Sequence, residues 1–169
     1  MVDANDHSVG VLIDLDIAIH VRDGEKKLSF PPAPGGTYAF RAIDILRQGE
    51  PVTKVFYRHD LESFMYSLMW IVTHYIAPDQ EDRFDLMAWD QEDPKGAASS
   101  KEGVIIGLAG EISSWPLTDG WFPRMARLFK EGRRRQFRAT QDGRDIDEET
   151  YGGFITFESF RAILDDYHS

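Results

Sequence analysis

Apolar side chains fill most positions between Asp60 and Ala77. They recur three and four residues apart on nearly every side of a helical wheel, which is typical of a helix packed inside a domain. Asp60 stands just before the first apolar residue and is a residue type that favours the N-cap position. Pro78 marks the end of the pattern. We therefore predict a central buried helix over residues 60–77, with Asp60 as its N-cap.

Weaker patterns predict the surrounding elements. Short β-branched runs predict a small β-hairpin, and longer mixed runs with gaps of three and four predict further helices. The predicted strands are 9–13 and 17–21, the predicted helices are 38–46, 99–112, 121–131 and 157–167, and a single helical turn is predicted at 84–89. Helix far exceeds strand, so we predict a mainly α (α+β) fold. The chain shows no internal repeat, and its length suits one domain over residues 1–169.

Composition narrows the classes of partner and site. A net charge of −10 argues against a nucleic-acid partner and against a polybasic membrane anchor. The basic run Arg133–Arg135 with Arg138 is therefore interpreted as a solvated face. The chain has no cysteine, which excludes thiolate catalysis and disulfides. No signal peptide and no apolar run of about 20 residues is visible, so we expect an intracellular protein, cytoplasmic or nuclear, without a membrane segment.

Two carboxylates, Asp14 and Asp16, follow the first predicted strand in the sequence VLIDLDIAI (residues 11–19). One chemistry that uses such a D-x-D pair is the haloacid-dehalogenase-type phosphatase, with Asp14 as nucleophile and Asp16 as acid/base. That motif normally continues with Gly and Thr or Val, whereas Ile17 and Ala18 stand here. The further strands which that fold requires are also missing. We keep the phosphatase as the less favoured alternative.

A second acidic cluster lies near the C-terminal end, at Asp145, Asp147 and Glu149. An EF-hand calcium loop requires Gly at its sixth position and a bidentate acid at its twelfth. Those positions hold Thr150 and Thr156. We therefore interpret the cluster as a hydrated acidic turn.

Three segments in order give a further interpretation. They are VLIDLDIAI around Asp14, GTYAFRAIDIL over 36–46 and RHDLESFMYSLMWI over 58–71. These segments resemble, in turn, the Mg²⁺-binding loop, the close of the activation segment and the Asp-led central helix of the C-terminal lobe of protein kinases. In their residue patterns, the three segments are most similar to the fungal-type protein kinase family. The resemblance covers residues 9 to about 77, and beyond them it rests on looser features such as Trp89 and Lys101.

The resemblance implies a protein-kinase-like C-terminal lobe and a role for several residues. Asp14 would bind Mg²⁺ and, through it, ATP, and residues 14–44 would form an activation-segment-like loop. Thr37 would help to orient the catalytic Asp, Asp60 would anchor the catalytic loop, and Asp44 would pair with an Arg near the end of the lobe. The candidates for that Arg are Arg133, Arg134, Arg135, Arg138 and Arg144. The intact family domain would transfer the γ-phosphate of ATP to Ser or Thr of a protein.

Several parts of kinase chemistry are missing from these 169 residues. The sequence contains no G-x-G-x-x-G loop and no H-R-D-x-x-x-x-N catalytic loop, and Arg58-His59-Asp60 has those letters in another order. We therefore predict that the chain holds no catalytic residue and is inactive alone. The alternative is a pseudokinase-like interaction module with a protein partner, or one that self-associates through an exposed lobe face. His59 and His74 are predicted to be core histidines rather than metal ligands.

Overall fold

The computed structural model describes residues 37–49, 52–73, 86–90, 93–109 and 120–166. They form the helices α1 (Ile43–Gln48), α2 (Tyr57–Ile71), α3 (Pro94–Ala109), α4 (Trp121–Gln141) and α5 (Phe157–Asp165), with a 3₁₀ helix at Leu86–Asp90 between α2 and α3. The mainly α prediction is confirmed for this part of the chain, which contains no strand. The predicted hairpin at 9–21, Asp14, Asp16 and nearly all of the 22–37 loop lie outside the described residues.

Helix α2 lies at the centre, as the apolar pattern indicated, and it buries Met65, Tyr66 and Met69 completely. The prediction that all its faces are covered is wrong, since Phe64 and Ile71 remain about half exposed. Helix α4 packs on α2 and also contacts α3 and α5, while α1 and the 3₁₀ helix pack on α3. These contacts join the buried side chains into one main core.

The start of α2 differs from the prediction. The helix begins at Tyr57, so Asp60 lies within its first turn and is not the N-cap. Phe56 is the N-cap residue, and its amide donates a hydrogen bond to Nδ1 of His59 at 3.1 Å, which is a different contact from the predicted one. An acidic side chain in the first turn still interacts favourably with the helix dipole. The local preference of Asp for N-caps was overridden because Tyr57 and Arg58 find partners elsewhere in the fold, the carbonyl of Ile155 and the carboxylate of Asp44.

Helices α3 and α4 are both longer than predicted. Helix α3 begins at Pro94, where a proline costs no hydrogen bond, and the Asp93 carboxylate accepts the Lys95 amide at 3.1 Å. Helix α4 continues ten residues beyond the predicted end at Glu131. Gly132 and Ala139 are buried, so the inner face of α4 continues through the basic run. The sequence pattern had not indicated this continuation.

The segments that flank these helices are fixed by turns and caps. Residues 37–41 form a turn in which the amide of Phe40 donates to the carbonyl of Thr37 at 3.0 Å, so α1 begins later than the predicted 38–46 helix. Helix α5 is capped reciprocally by Thr156 and Ser159. Among the described helices, none combines the length and apolar character needed to cross a bilayer.

Candidate functional site

Three elements meet at one buried carboxylate, that of Glu62 on α2. The side chain is 1% exposed, and its Oε1 accepts hydrogen bonds from the Ile43 amide at 3.1 Å, the Tyr66 hydroxyl at 2.6 Å and Nη2 of Arg133 at 2.5 Å. The Ile43 amide belongs to the first turn of α1, which has no side-chain cap of its own. Glu62 thus caps α1 from a distance and joins it to α2 and α4.

A second carboxylate, that of Asp44 on α1, lies beside the first. Its Oδ2 accepts a hydrogen bond from Nη1 of Arg58 at 2.7 Å and another from the hydroxyl of Tyr151. Its Oδ1 lies 3.7 Å from Nε of Arg133, which also binds Glu62. Two carboxylates and two guanidinium groups therefore alternate in space. We call Asp44, Arg58, Glu62, Arg133 and their two tyrosine partners the buried charge network.

The electrostatics of the buried charge network keep Asp44 ionised. Burial by itself raises the pKa of Asp44, but Arg133 and Arg58 outweigh it, and the pKa lies well below its ordinary value. His59 also faces this carboxylate, yet 3.8 Å between Nε2 and Oδ2 is too long for a hydrogen bond. Burial opposes the charge of Arg133 too, but Glu62 more than compensates and raises its pKa.

The loop after α4 closes the network from one side. Its Tyr151 is buried and adopts a left-handed backbone conformation, φ 53°, which is rare for a residue with a side chain. This conformation directs the tyrosine hydroxyl to Asp44 and sets the ring 4.0 Å from the guanidinium of Arg58. Nε of Arg58 also donates to the carbonyl of Glu148 at 2.9 Å. The backbone strain is balanced by these buried contacts.

A buried lysine on α3 holds the turn that precedes α1. Nζ of Lys101 donates to the carbonyls of Tyr38 at 2.9 Å and Arg41 at 2.6 Å, and the side chain is fully buried. The ammonium also lies 4.2 Å from the ring centre of Tyr66 and 5.4 Å from that of Trp89. Burial lowers the pKa of Lys101 to about 7. Glu62 opposes this shift, which links Lys101 electrostatically to the buried charge network.

The arrangement is suited to holding a backbone segment and not to acid–base catalysis. The carboxylates are engaged by arginines and hydroxyls, which leaves no activated nucleophile in the network. A polar cavity of about 230 Å³ opens beside Asp44, lined by Lys54, Arg58, His59 and Glu148 among others. Within the described residues, no group of three or more His, Asp or Glu side chains is placed to hold a metal ion.

The structure places only some of the predicted site residues. Asp14, the expected Mg²⁺ ligand, and Asp16 and His74 lie outside the described residues. Thr37 is exposed, and only its carbonyl has a described contact. The side chain of Asp60 makes no hydrogen bond or ion pair with any described residue. Burial raises its pKa.

Asp44 is the predicted site residue with the richest surroundings. The sequence left five candidate arginines for its partner, and Arg133 is the one that approaches it, at 3.7 Å. Arg134, Arg135 and Arg138 are exposed on other faces of α4. The interpretation of the basic run as a solvated face therefore holds for these three and is wrong for Arg133.

The closest partners were missed from the sequence. Arg58, Glu62 and Tyr66 follow one another at intervals of four residues along α2, so they share one face of a helix that is otherwise largely apolar. Lys101 likewise continues the buried stripe of Ala97 and Ile105 on α3. Charged residues that recur every four positions on the buried face of a helix require hydrogen-bond or ion-pair partners, because an unpaired buried charge is costly. That signal was available, but it does not say which partners.

Comparison with known proteins addresses the amino-terminal part of the chain. Residues 1–72 match the family model of the fungal protein kinase. The match starts at residue 1, whereas the resemblance drawn from the motifs started at residue 9. It ends at residue 72, directly after the last residue of α2. It covers less than half of the chain, and α3, α4 and α5 lie outside it. No curated protein and no solved structure matches the chain.

Proposed function

We propose that the chain is part of a protein kinase domain of the fungal type, from the Mg²⁺-binding loop through the helices of the C-terminal lobe. The match over residues 1–72 supports the amino-terminal half of this proposal. The buried charge network supports the other half. The resemblance requires Asp44 to pair with an Arg late in the lobe, and Arg133, 89 residues further along the chain, lies 3.7 Å from it.

In this proposal the buried charge network and Lys101 fix the close of the activation segment. In the intact family domain that segment faces the protein whose Ser or Thr receives the γ-phosphate of ATP. Glu62 holds the first turn of α1, and Lys101 holds the carbonyls of Tyr38 and Arg41. Such a frame contributes by positioning, which is the main contribution of a protein to phosphoryl transfer. Asp14 would bind the Mg²⁺ that accompanies ATP.

The second candidate is a pseudokinase-like module that binds a protein partner and transfers no phosphate. It is favoured by the exposed Phe64 and Ile71 on α2, since apolar side chains on one helix invite a partner or self-association. Under either candidate we expect an intracellular protein.

A thermal-shift titration with ATP and Mg²⁺ separates the candidates. Saturating nucleotide at about 100 times its Kd stabilises a protein by about 2.7 kcal/mol, or roughly 5–10 °C in Tm for a chain of this size. In the kinase proposal Asp14→Ala abolishes the shift, and the matched control Asp16→Ala retains it.

Other outcomes point elsewhere. Loss of the shift in both variants would favour the phosphatase-type acidic pair, which needs Asp14 and Asp16 together. No shift in the unmodified chain would contradict nucleotide binding and would leave the non-catalytic module as the better candidate.

A further inference from the structure

The Lys and Arg residues of this acidic protein are concentrated on one helix. Helix α4 holds seven of the chain's 19 Lys and Arg residues but only one of its 29 Asp and Glu residues. Arg133 points inward to the buried charge network, and the others surround the solvent side of the helix. The remainder of the chain is therefore even more acidic than the net charge of −10 suggests.

The exposed basic side chains on α4 form a continuous stripe. Arg127, Lys130, Arg134 and Arg138 recur at three- and four-residue intervals, so they share one face over about 16 Å. Arg134 is paired with Glu131 at 3.2 Å. The other three make no ion pair with any residue in the described part of the chain, so their charges are available to a partner. We call these four residues the basic stripe.

An apolar groove runs beside the basic stripe, between α4 and α5. It is widely open to solvent and has a volume of about 420 Å³. We call its apolar lining, Leu128, Phe154, Ala162 and Ile163, the groove floor; Arg124, Glu131 and Ser159 also line it. Arg127 of the basic stripe lines the groove as well, so charge and apolar surface are contiguous.

The two edges of the groove differ in charge balance. On the α5 side, Asp166 is paired with Arg124 at 2.5 Å and Asp165 with Arg161 at 3.2 Å. On the α4 side, Glu131 is paired with Arg134 at 3.2 Å, whereas Arg127 keeps an uncompensated charge among the described residues. Arg135 stacks at 4.0 Å over the ring of Phe154. A ligand in the groove therefore meets one neutral edge and one positive edge.

We propose that this groove binds an acidic amphipathic segment of a partner protein, with apolar side chains on the groove floor and carboxylates along the basic stripe. Helix α5 has nine residues and is about 14 Å long, which suits a partner helix of about nine residues. The proposal does not depend on nucleotide binding, because α4 and α5 lie outside residues 1–72.

Charge geometry favours a short acidic peptide over other acidic ligands. A nucleic acid would extend past the stripe into the field of the acidic remainder of the chain, and it offers no aliphatic side chains for the groove floor. A peptide of about nine residues stays within the local field, since the Debye length at physiological salt is about 8 Å. A second copy of this chain brings its whole negative charge to the interface.

The test is fluorescence anisotropy of the full chain with a fluorescein-labelled acidic amphipathic peptide, ELLEELFEE. We expect binding that weakens strongly between about 0.1 M and about 1 M salt, where the Debye length falls from about 10 to about 3 Å. The charge-reversed peptide KLLKKLFKK and the apolar-depleted peptide ESSEESSEE should bind at least about tenfold more weakly, a difference equal to about 1.4 kcal/mol. Equal binding of either control peptide would overturn the proposal.

Two sets of matched variants locate the site. The triple variant Arg127→Gln/Lys130→Gln/Arg138→Gln should raise the Kd about tenfold or more, which corresponds to three exposed pairs at roughly 0.5 kcal/mol each. The control triple changes the net charge equally at exposed positions away from the groove; it combines Arg47→Gln, Lys95→Gln and Arg144→Gln. The control should stay within about twofold of the unmodified chain, and an equal loss in both triples would show that only net charge matters.

Further measurements exclude the competing occupants. Ala162→Glu places a carboxylate in the groove at an exposed position and should also raise the Kd, which supports the groove as the site. Sedimentation velocity that showed a dimer dissociated by the α4 triple variant would overturn the proposal in favour of a second copy. Displacement of the peptide by poly(U) RNA at a lower concentration than by unlabelled peptide would overturn it in favour of a nucleic acid.

Discussion

Replacing Glu62 by Gln removes one charge from the centre of the buried charge network and leaves the shape of the side chain almost unchanged. Its Oε1 accepts three hydrogen bonds, and its partner Arg133 is only 15% exposed. Removal of one member of a buried pair costs about 3–5 kcal/mol, because the remaining charge stays buried without compensation. Gln retains one acceptor, so we expect about 3 kcal/mol, or roughly 6–12 °C in Tm.

The matched control is Glu102→Gln. Glu102 lies 2.5 Å from Arg47, the same separation as in the buried pair, but the side chains are 39% and 47% exposed. A solvent-exposed pair contributes about 1 kcal/mol or less. The comparison therefore changes burial and leaves charge and distance constant.

Urea unfolding monitored by tryptophan fluorescence and by circular dichroism measures both variants. A double variant, Glu62→Gln with Arg133→Met, should lose less free energy of unfolding than the sum of its single variants, since the uncompensated charge is then gone. The reasoning is refuted when Glu62→Gln loses less than about 1 kcal/mol, or when it loses no more than Glu102→Gln.

Two further predictions concern the helices around this network. Burial lowers the pKa of Lys101 to about 7, so between pH 7 and its unfolded value near 10.4 the unfolded chain binds more protons. The free energy of unfolding should thus rise by about 2 kcal/mol from pH 7 to pH 9, and Lys101→Met should abolish that rise. An equal dependence on pH in both proteins would contradict the lowered pKa of Lys101. A Cβ added at Gly132 would meet Cδ1 of Ile155 at 2.5 Å, so Gly132→Ala should lose about 1 kcal/mol net despite better helix propensity. A Cβ added at Gly103 would face open space, so Gly103→Ala should raise the free energy of unfolding by about 1 kcal/mol, measured by urea unfolding. A change of the same sign for both glycines would show that the close packing around Gly132 is absent.

Local pattern was sufficient for the existence of most helices. The apolar spacing of residues 60–77 predicted α2, and weaker spacing predicted α3, α4 and α5 in order. Their ends were less well predicted. Asp60 has the propensity of an N-cap, yet α2 begins three residues earlier because Arg58 pairs with Asp44 in the core. Helix α4 continues through a run of arginines because its inner face remains apolar.

The candidate site was only partly predictable. The resemblance singled out Asp44 and gave a set of arginines that contains Arg133. It did not give Arg58 or Glu62, and Lys101 entered only as a loose feature. Their positions on buried helix faces indicate that partners are needed, but do not say which residues those partners are.

The sequence by itself determined the helical character of the chain, its acidic charge and the segments that resemble a kinase. Only the tertiary structure decided that Glu62 joins α1, α2 and α4, and that Lys101 holds the carbonyls of Tyr38 and Arg41. The physical reason is the range of the interactions. Helix periodicity is fixed by neighbours three and four residues away, whereas Glu62 and Arg133 are separated by 71 residues and meet only when the core is packed.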